Sequence, residues 1–394
     1  MTSSRRKLSR LIVPLLAVIT FTLLIDVVAY FVIPEELVRF APAYRRKESD
    51  TGRNHASPNY AWGGYPRGYM RADDDLGFDI QPNFPPTRFF IPDASFDVFS
   101  NELGCFDKNS LGQIKKSSEY VYFAGDSFTW GHADYDKKYT TVYEAKSGLR
   151  SVKCGVPHTG QRHQYEKWLR VVKAIGRYPK RVFVGYFEND PANDFAHPHS
   201  TVIDGFLVDV VKLKGKSLVK IDIDEVTNAI HEWGKNPNPA SASPLRELLA
   251  RYSITTHLIA SAVVRLKYLA KIMMPGTSKS FYEVSRQFSF EESYSSSDLT
   301  IANREAIKKW ANDAKMNSYE LIFILIPSKD HFSDPNHYRS LKTFLRDNDI
   351  SYYDLAEVFR HAKKRSSELY WGNDLHWSNE GNEFVGELLA KRFP

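Results

Sequence analysis

The chain has 394 residues, 42% of them hydrophobic, and 53 basic against 47 acidic side chains give a formal net charge of +6. That length holds two average domains, or one α/β domain with a large insertion, and the apolar content is ample for a core. The charge is scattered, with no basic stripe interleaved with aromatics, which sets nucleic acid aside as a partner. Neither the two cysteines nor the 12 histidines fall at metal-ligand spacing, so no metal and no other cofactor is expected.

The N-terminus begins with a basic tail over 1–10, carrying Arg5, Arg6, Lys7 and Arg10, and then runs apolar over 11–33 with Asp26 as its single charge. At about 1.5 Å per residue, such a run is long enough to cross a hydrocarbon core of roughly 30 Å. A cleaved leader would carry a shorter apolar region with a small-residue site directly after it. Ala41-Pro42-Ala43 lies too far downstream for that. The reading is therefore an uncleaved single-pass anchor in the cytoplasmic membrane, with the basic flank inside and the rest facing the periplasm or cell exterior. Asp26 marks a contact with a partner, a position near the outer interface, or simple tolerance in a long helix.

Residues 34–118 read as a linker and an extended lead-in. The first part is rich in charge, proline, glycine and aromatics, among them Tyr60, Trp62, Tyr65 and Tyr69. These rings either pin the segment to the domain or stack on sugars. From Leu76 to Phe106 the pattern is of short extended pieces with turns. Cys105 in this stretch and Cys154 later admit a disulfide in an oxidising compartment, or two separate buried thiols.

A domain over 119–394 follows. Its first strand, Tyr120-Val121-Tyr122-Phe123-Ala124, runs into Gly125-Asp126-Ser127-Phe128-Thr129-Trp130-Gly131, setting one serine at a sheet's carboxyl edge. A serine hydroxyl is a weak nucleophile that needs a base, an orienter for the base, and oxyanion donors. A helix over Tyr139 to Ser147, a strand Ser151 to Cys154 and a glycine-rich loop Gly155 to Gly160 come next. A helix then places Tyr165, Trp168, Leu169 and Val172 at i, i+3, i+4, i+7 spacing and stops at Gly176. The strand from Arg181 ends in Glu188-Asn189-Asp190, either a turn or a side-chain donor for an oxyanion. Strands alternating with helices through short connections predict a parallel sheet covered on both faces, in the order 2-1-3-4-5, with its chemistry at the strands' carboxyl ends.

Over 197–299 the alternation breaks into an insertion. Phe206 to Leu213 and Leu218 to Ile223 read as a hairpin, and a helix is expected from Pro244 to Met274. The insertion either roofs the site or elaborates the structure elsewhere. The α/β pattern resumes with a helix through Ala306, Ile307, Trp310 and Ala314, a strand Leu321 to Ile326, a helix Tyr338 to Leu345 and a strand Ile350 to Tyr353. Near the end stands Asp374-Leu375-His376-Trp377-Ser378. In an extended segment, Asp374 and His376 point to one side, so the carboxylate can hold the imidazole while the imidazole takes a serine proton.

Taken together, Gly-Asp-Ser, a glycine-rich post-strand loop, Asn-Asp after a strand and Asp-x-His near the C-terminus resemble the four blocks of the SGNH/GDSL hydrolase superfamily, from Tyr120 to the end. The resemblance implies a flavodoxin-like three-layer α/β/α fold with Ser127 as nucleophile, His376 as base and Asp374 as its orienter. It also implies an oxyanion hole from the Ser127 N–H, the backbone at His158 and Gly160, and Asn189. Two departures stand out: the usual glycine falls on His158, with Lys153 where asparagine is usual, and the acid stands two rather than three residues before the histidine. The Asp374-x-His376-Trp377 segment resembles periplasmic proteins of alginate and exopolysaccharide O-acetylation. The expected activity is an esterase removing O-acyl groups from a carbohydrate, with possible membrane partners in a polysaccharide assembly complex. An O-acyltransferase and an inactive carbohydrate-binding or assembly scaffold are the alternatives.

Overall fold

The computed structural model describes residues 64–91, 93–214, 217–235, 298–332, 334–372 and 374–394, together with 14, 20–29, 32 and 253–255. The chain divides into two units. One comprises Met1–Arg53 and Asn236–Thr277, the other Asn54–Lys235 and Ser278–Pro394.

In the larger unit the lead-in forms two antiparallel hairpins, β1 (Met70–Asp73) with β2 (Gly77–Ile80) and β3 (Thr87–Phe90) with β4 (Ser95–Val98). Helix α1 (Leu111–Lys116), closed by a Ser110/Gln113 capping box, leads into β5 (Val121–Gly125). The order continues with α2 (Ser127–Trp130), α3 (Tyr139–Ser147), β6 (Ser151–Lys153), α4 (Gln161–Ile175), β7 (Arg181–Tyr186) and α5 (Asp190–Phe195). The insertion contributes two hairpins where one was expected, β8 (Ser200–Ile203) with β9 (Phe206–Asp209) and β10 (Val211–Lys214) with β11 (Ser217–Lys220), and then α6 (Ile223–Lys235). After it come α7 (Asp298–Asn317), β12 (Glu320–Leu325), α8 (Arg339–Asp347), β13 (Ser351–Asp354), α9 (Leu355–His361), α10 (Ser366–Leu369) and α11 (Asn379–Arg392).

Five strands make one parallel sheet in the order β13-β12-β7-β5-β6, which is 2-1-3-4-5 when those strands alone are numbered along the chain. The central strands β5 and β7 are buried along their whole length, as expected of a sheet covered on both faces. One face packs Trp168, Val172, Ile307 and Trp310 of α4 and α7 against Tyr122 and Val184. The other packs Tyr139, Tyr143, Val385 and Leu389 of α3 and α11 against Phe123 and Phe183. Leu169, expected on the buried stripe of α4, is 37% exposed; Val171 and Ile175 take its place in the core. A third cluster seats the lead-in, with Phe89, Phe96 and Phe106 around the fully buried Trp130. Cys105 and Cys154 form a disulfide, tying the end of the lead-in to the loop after β6.

The smaller unit bears on the N-terminal expectation. Residues 20–29 are helical, with Phe21, Leu23, Leu24, Val27 and Val28 exposed and Asp26 and Ala29 buried. The Asp26 carboxylate accepts the Thr255 backbone N–H at 3.0 Å and its hydroxyl at 2.8 Å. The charge in the apolar run thus has its partner within this chain. No helix among the described residues is long and apolar enough to cross a membrane; most of the expected anchor over 11–33, and of the helix from Pro244 to Met274, lies outside the described residues.

Candidate active site

The site starts from a steric demand at the end of β5. Gly125 has φ +148°, and a Cβ there would run into the Thr129 side chain and approach the Gly185 carbonyl oxygen of β7. Thr129 occupies the space that Gly125 and its cross-strand partner Gly185 leave open, bonding the Ala124 carbonyl at 3.2 Å and the Tyr139 hydroxyl at 2.9 Å. The chain therefore turns sharply into α2, with the Asp126 carboxylate capping the Phe128 N–H at 3.0 Å. Ser127 is the first residue of that turn. Its hydroxyl lies 2.7 Å from His376 Nε2 and 3.4 Å from Asp126 Oδ2, so the imidazole is the closer acceptor.

His376 in turn places Nδ1 2.6 Å from Asp374 Oδ1. The segment between them is not extended. The same Asp374 oxygen accepts the His376 backbone N–H at 2.9 Å, an Asx-type turn that folds the carboxylate back under the ring. That is why a spacing of two residues suffices. The loop is held from outside by the Asp374 N–H on Asp93 Oδ2 (2.9 Å) and by Lys329 Nζ on the Trp371 and Gly372 carbonyls (2.6 and 2.9 Å). Trp377, conspicuous in the sequence, is a core residue, fully buried with its ring 5.0 Å from Phe128.

One member of the site carried no sequence expectation. The His132 ring stacks on His376 with centroids 3.7 Å apart and planes 16° from parallel, and its Nδ1 lies 3.8 Å from Asp374 Oδ2. Trp371 Nε1 fixes it by donating to the His132 carbonyl at 2.7 Å. Burial, assisted by His376, pushes His132 down to about 4, so it is a neutral ring near pH 7. For Asp374, burial opposes ionisation, but His376 and His132 outweigh it and hold the carboxyl well below the usual range. Burial raises Asp126 to about 6.

The expected oxyanion donors lie in the loops after β6 and β7. His158 adopts φ +67°, a left-handed conformation that glycine takes at lower cost, at the position where the resemblance expects a glycine. Its side chain turns to Asp209 of β9 (Nε2 to Oδ1, 3.5 Å) and against the His199 ring. Gly160 caps α4, and a Cβ there would meet the Asp194 carboxylate and the Asp190 carbonyl. Asn189 caps α5, with its Oδ1 buried and without a hydrogen-bond partner. Behind these loops runs a buried network in which Gln161 Nε2 donates to Asp190 Oδ2 (2.5 Å), and Asn303 Nδ2 donates to Gln161 Oε1 (2.5 Å) and Asp194 Oδ2 (2.7 Å). Besides His132, Asp374 and His376, two clusters among the described residues bring nitrogen and carboxylate ligand atoms within 4.8 Å of one another: His158, His199 and Asp209, and Glu188, His331 and His337.

The arrangement of hydroxyl, imidazole and ionised carboxylate is chemically suited to moving a proton off Ser127 and stabilising the resulting imidazolium. No protein-family model matches the chain, and no curated protein matches it. Among solved structures, the chain is similar to a protein described as lipolytic and of the G-D-S-L family from Desulfitobacterium hafniense, at 15% identity over 70% of this chain and 99% of that one, with a TM-score of 0.34. It is similar also to an acetyl xylan esterase (11% identity, 70% and 100% covered, TM-score 0.35) and to an acetylxylan esterase from Geobacillus stearothermophilus (12% identity, 71% and 95% covered, TM-score 0.34).

Proposed function

We propose that the chain is a serine esterase that works through an acyl ester on Ser127. The observation that carries this reading is the unbroken relay from Ser127 Oγ through both nitrogens of His376 to Asp374. In the first step the Ser127 oxygen attacks the ester carbonyl while His376 Nε2 takes its proton. The imidazolium then protonates the departing alkoxide, leaving the acyl group on Ser127. Water, deprotonated by His376, attacks that acyl ester and frees the carboxylic acid and the serine. The developing oxyanion needs donors; the Ser127 N–H, the backbone at His158 and Gly160, and Asn189 are the candidates in reach of the strands' carboxyl edge.

The substrate we assign is an O-acylated carbohydrate, on the resemblance of Asp374-x-His376-Trp377 to exopolysaccharide O-acetylation proteins. The location we assign is the outer side of a cytoplasmic membrane. The basic tail before an apolar run, the exposed aliphatic side chains at 21–28 and the Cys105–Cys154 disulfide, a bond that persists in oxidising compartments, support it.

Treating the full chain in detergent with a fluorophosphonate and weighing the product tests the reading. One adduct is expected on the parent and none on Ser127→Ala or His376→Ala. Folded parent protein that stays unlabelled would overturn the nucleophile assignment. Release of acetate from acetylated sugars, with and without a free sugar acceptor, then separates hydrolysis from transfer.

A further inference from the structure

The loops after β7 and β12 gather three ligand-type side chains that the Ser127 chemistry does not use. Glu188 stands just past β7, His331 closes the 3-10 turn Lys329–His331 after β12, and His337 precedes α8. One nitrogen or oxygen from each lies within 4.8 Å of the others. The two rings stack, with centroids 4.9 Å apart and planes 9° from parallel, and His331 Nδ1 lies 3.8 Å from Glu188 Oε2.

What sets this cluster apart is one orphaned polar atom on each of Glu188 and His337. Glu188 and His337 are 7% and 8% exposed, yet Glu188 Oε2 and His337 Nε2 have no hydrogen-bond partner. The 3.8 Å separation from His331 is too long to be a hydrogen bond. Two cations of these loops and of α8 are committed elsewhere: Lys342 donates to Asp354 Oδ2 at 2.8 Å and Lys329 to the Trp371 and Gly372 carbonyls. A carboxylate withdrawn from water is held only where it is paired or coordinates a metal.

The geometry points to a binding site for one divalent first-row transition ion, of the zinc type, formed by Glu188, His331 and His337. Two imidazoles and a carboxylate are ligands that Zn²⁺ takes at about 2.0–2.2 Å. Bond lengths of that size need ligand atoms about 3.4 Å apart, so the three side chains close by roughly an ångström on loading. The Ser328 hydroxyl, 2.9 Å from His331 Nδ1, gives way if that nitrogen is the ligand. The ion would tie the β7 loop to the β12 loop. Lys329, in the same turn as His331, holds the backbone that leads to Asp374 and His376, so loading would also brace the segment carrying the relay.

The test uses the full chain in detergent, stripped with a chelator and titrated with Co²⁺, whose visible absorption reports nitrogen and carboxylate ligation, and then with Zn²⁺ as competitor. One equivalent of Co²⁺ is expected to bind, to be displaced by Zn²⁺, and to raise the thermal midpoint. Glu188→Gln and His337→Gln are each expected to weaken binding at least tenfold while the near-ultraviolet circular dichroism of the stripped protein stays that of the parent. His376→Ala is expected to keep the site. Absence of saturable one-to-one binding by folded parent protein, or binding that survives both ligand variants, would overturn the assignment. Binding lost in His376→Ala but kept in Glu188→Gln would place the ion among His132, Asp374 and His376, and would overturn it as well.

Discussion

His132 is where the site asks most of a single residue. In the proposed reaction His376 passes between neutral and cationic forms twice per turnover, and its ring must not rotate away from Ser127 while doing so. A second flat ring 3.7 Å above it restricts that rotation, and because burial keeps His132 uncharged until about pH 4, the neighbour does not repel the imidazolium. The same ring stands 3.8 Å from the Asp374 oxygen that His376 does not use. His132→Ala removes both effects and is expected to lower kcat/KM on an aryl acetate by roughly 10- to 100-fold, about 1.4–2.7 kcal/mol of transition-state stabilisation. His132→Phe keeps a stacked ring without its nitrogens and is expected to fall between the two. Steady-state rates over pH 5 to 9 on protein checked for folding decide the matter; an unchanged kcat/KM in the alanine variant would leave His132 a packing residue only. The meeting of Ser127, His376 and Asp374 was legible in the sequence because a hydroxyl, an imidazole and a carboxylate each stood beside a turn or strand; their roles as nucleophile, base and orienter are the proposal. His132 was not, since a lone histidine after Gly131 carries no period and no partner until the chain is folded.

The lead-in makes the corresponding point for elements. Its short extended pieces were visible, but which piece pairs with which depends on contacts far apart in sequence, and so did the fate of the two cysteines. The hairpins bury Phe89 and Phe96 on Trp130, whose indole N–H donates to the Tyr69 hydroxyl at 2.7 Å, so this segment is part of the floor beneath the turn that carries Ser127. The disulfide closes it, spanning 49 residues, beside a buried ion cluster in which Lys153 meets Asp107 at 3.0 Å and also Glu144. Lys153, where the resemblance expects asparagine, is thus explained by charge pairing rather than by the reaction. Closing a loop of about 50 residues restricts the unfolded chain by about 4 kcal/mol in the chain-entropy picture. Cys105→Ser with Cys154→Ser is expected to lose stability of that order, read as a lower urea midpoint with an unchanged native circular dichroism spectrum. A midpoint equal to the parent's would mean the hairpins hold without the link. The insertion was the least legible element: hydrophobic alternation announced a hairpin, while helix α6, whose Val226 and Ile230 are buried, passed unnoticed although Ile223, Val226, Ile230 and Trp233 stand at helical spacing.

At the scale of the molecule, the strand order was readable because alternation of buried strands with amphipathic helices leaves few right-handed, uncrossed arrangements. The burial of charge was not readable, and it dictates how the larger unit should respond to pH. Burial lowers His163 and His197 to about 3, His132 to about 4, and His199 well below its ordinary value. Each stays neutral when folded but takes a proton when unfolded below about pH 6.5, so its share of stability is present above that pH and lost as pH falls toward the folded value. Burial acts oppositely on carboxyls, raising Asp126 to about 6, Asp194 to about 7 and Asp190 well above its ordinary value. Their share is complete below about pH 3.9 and is lost as pH rises through the folded values. Between pH 4 and 6 these four histidines, joined by His337, which burial also lowers to about 4, outnumber the three carboxyls, the unfolded chain binds more protons, and stability rises with pH; above 7 the carboxyls pull stability down while Lys138, which burial holds well below its ordinary value, pulls the other way. The urea midpoint is therefore expected to be lower at pH 5 than at pH 7, with the three carboxyls pulling it down on the alkaline side. Asp190→Asn isolates the alkaline limb. Asp190 Oδ2 accepts from Gln161 and Phe187, while Oδ1 has no partner, so an amide nitrogen in the Oδ1 position imitates the protonated acid. This variant is expected to keep the acid slope and to remove the Asp190 share of the alkaline decline; an alkaline slope equal to the parent's would mean that Asp190 does not contribute to it.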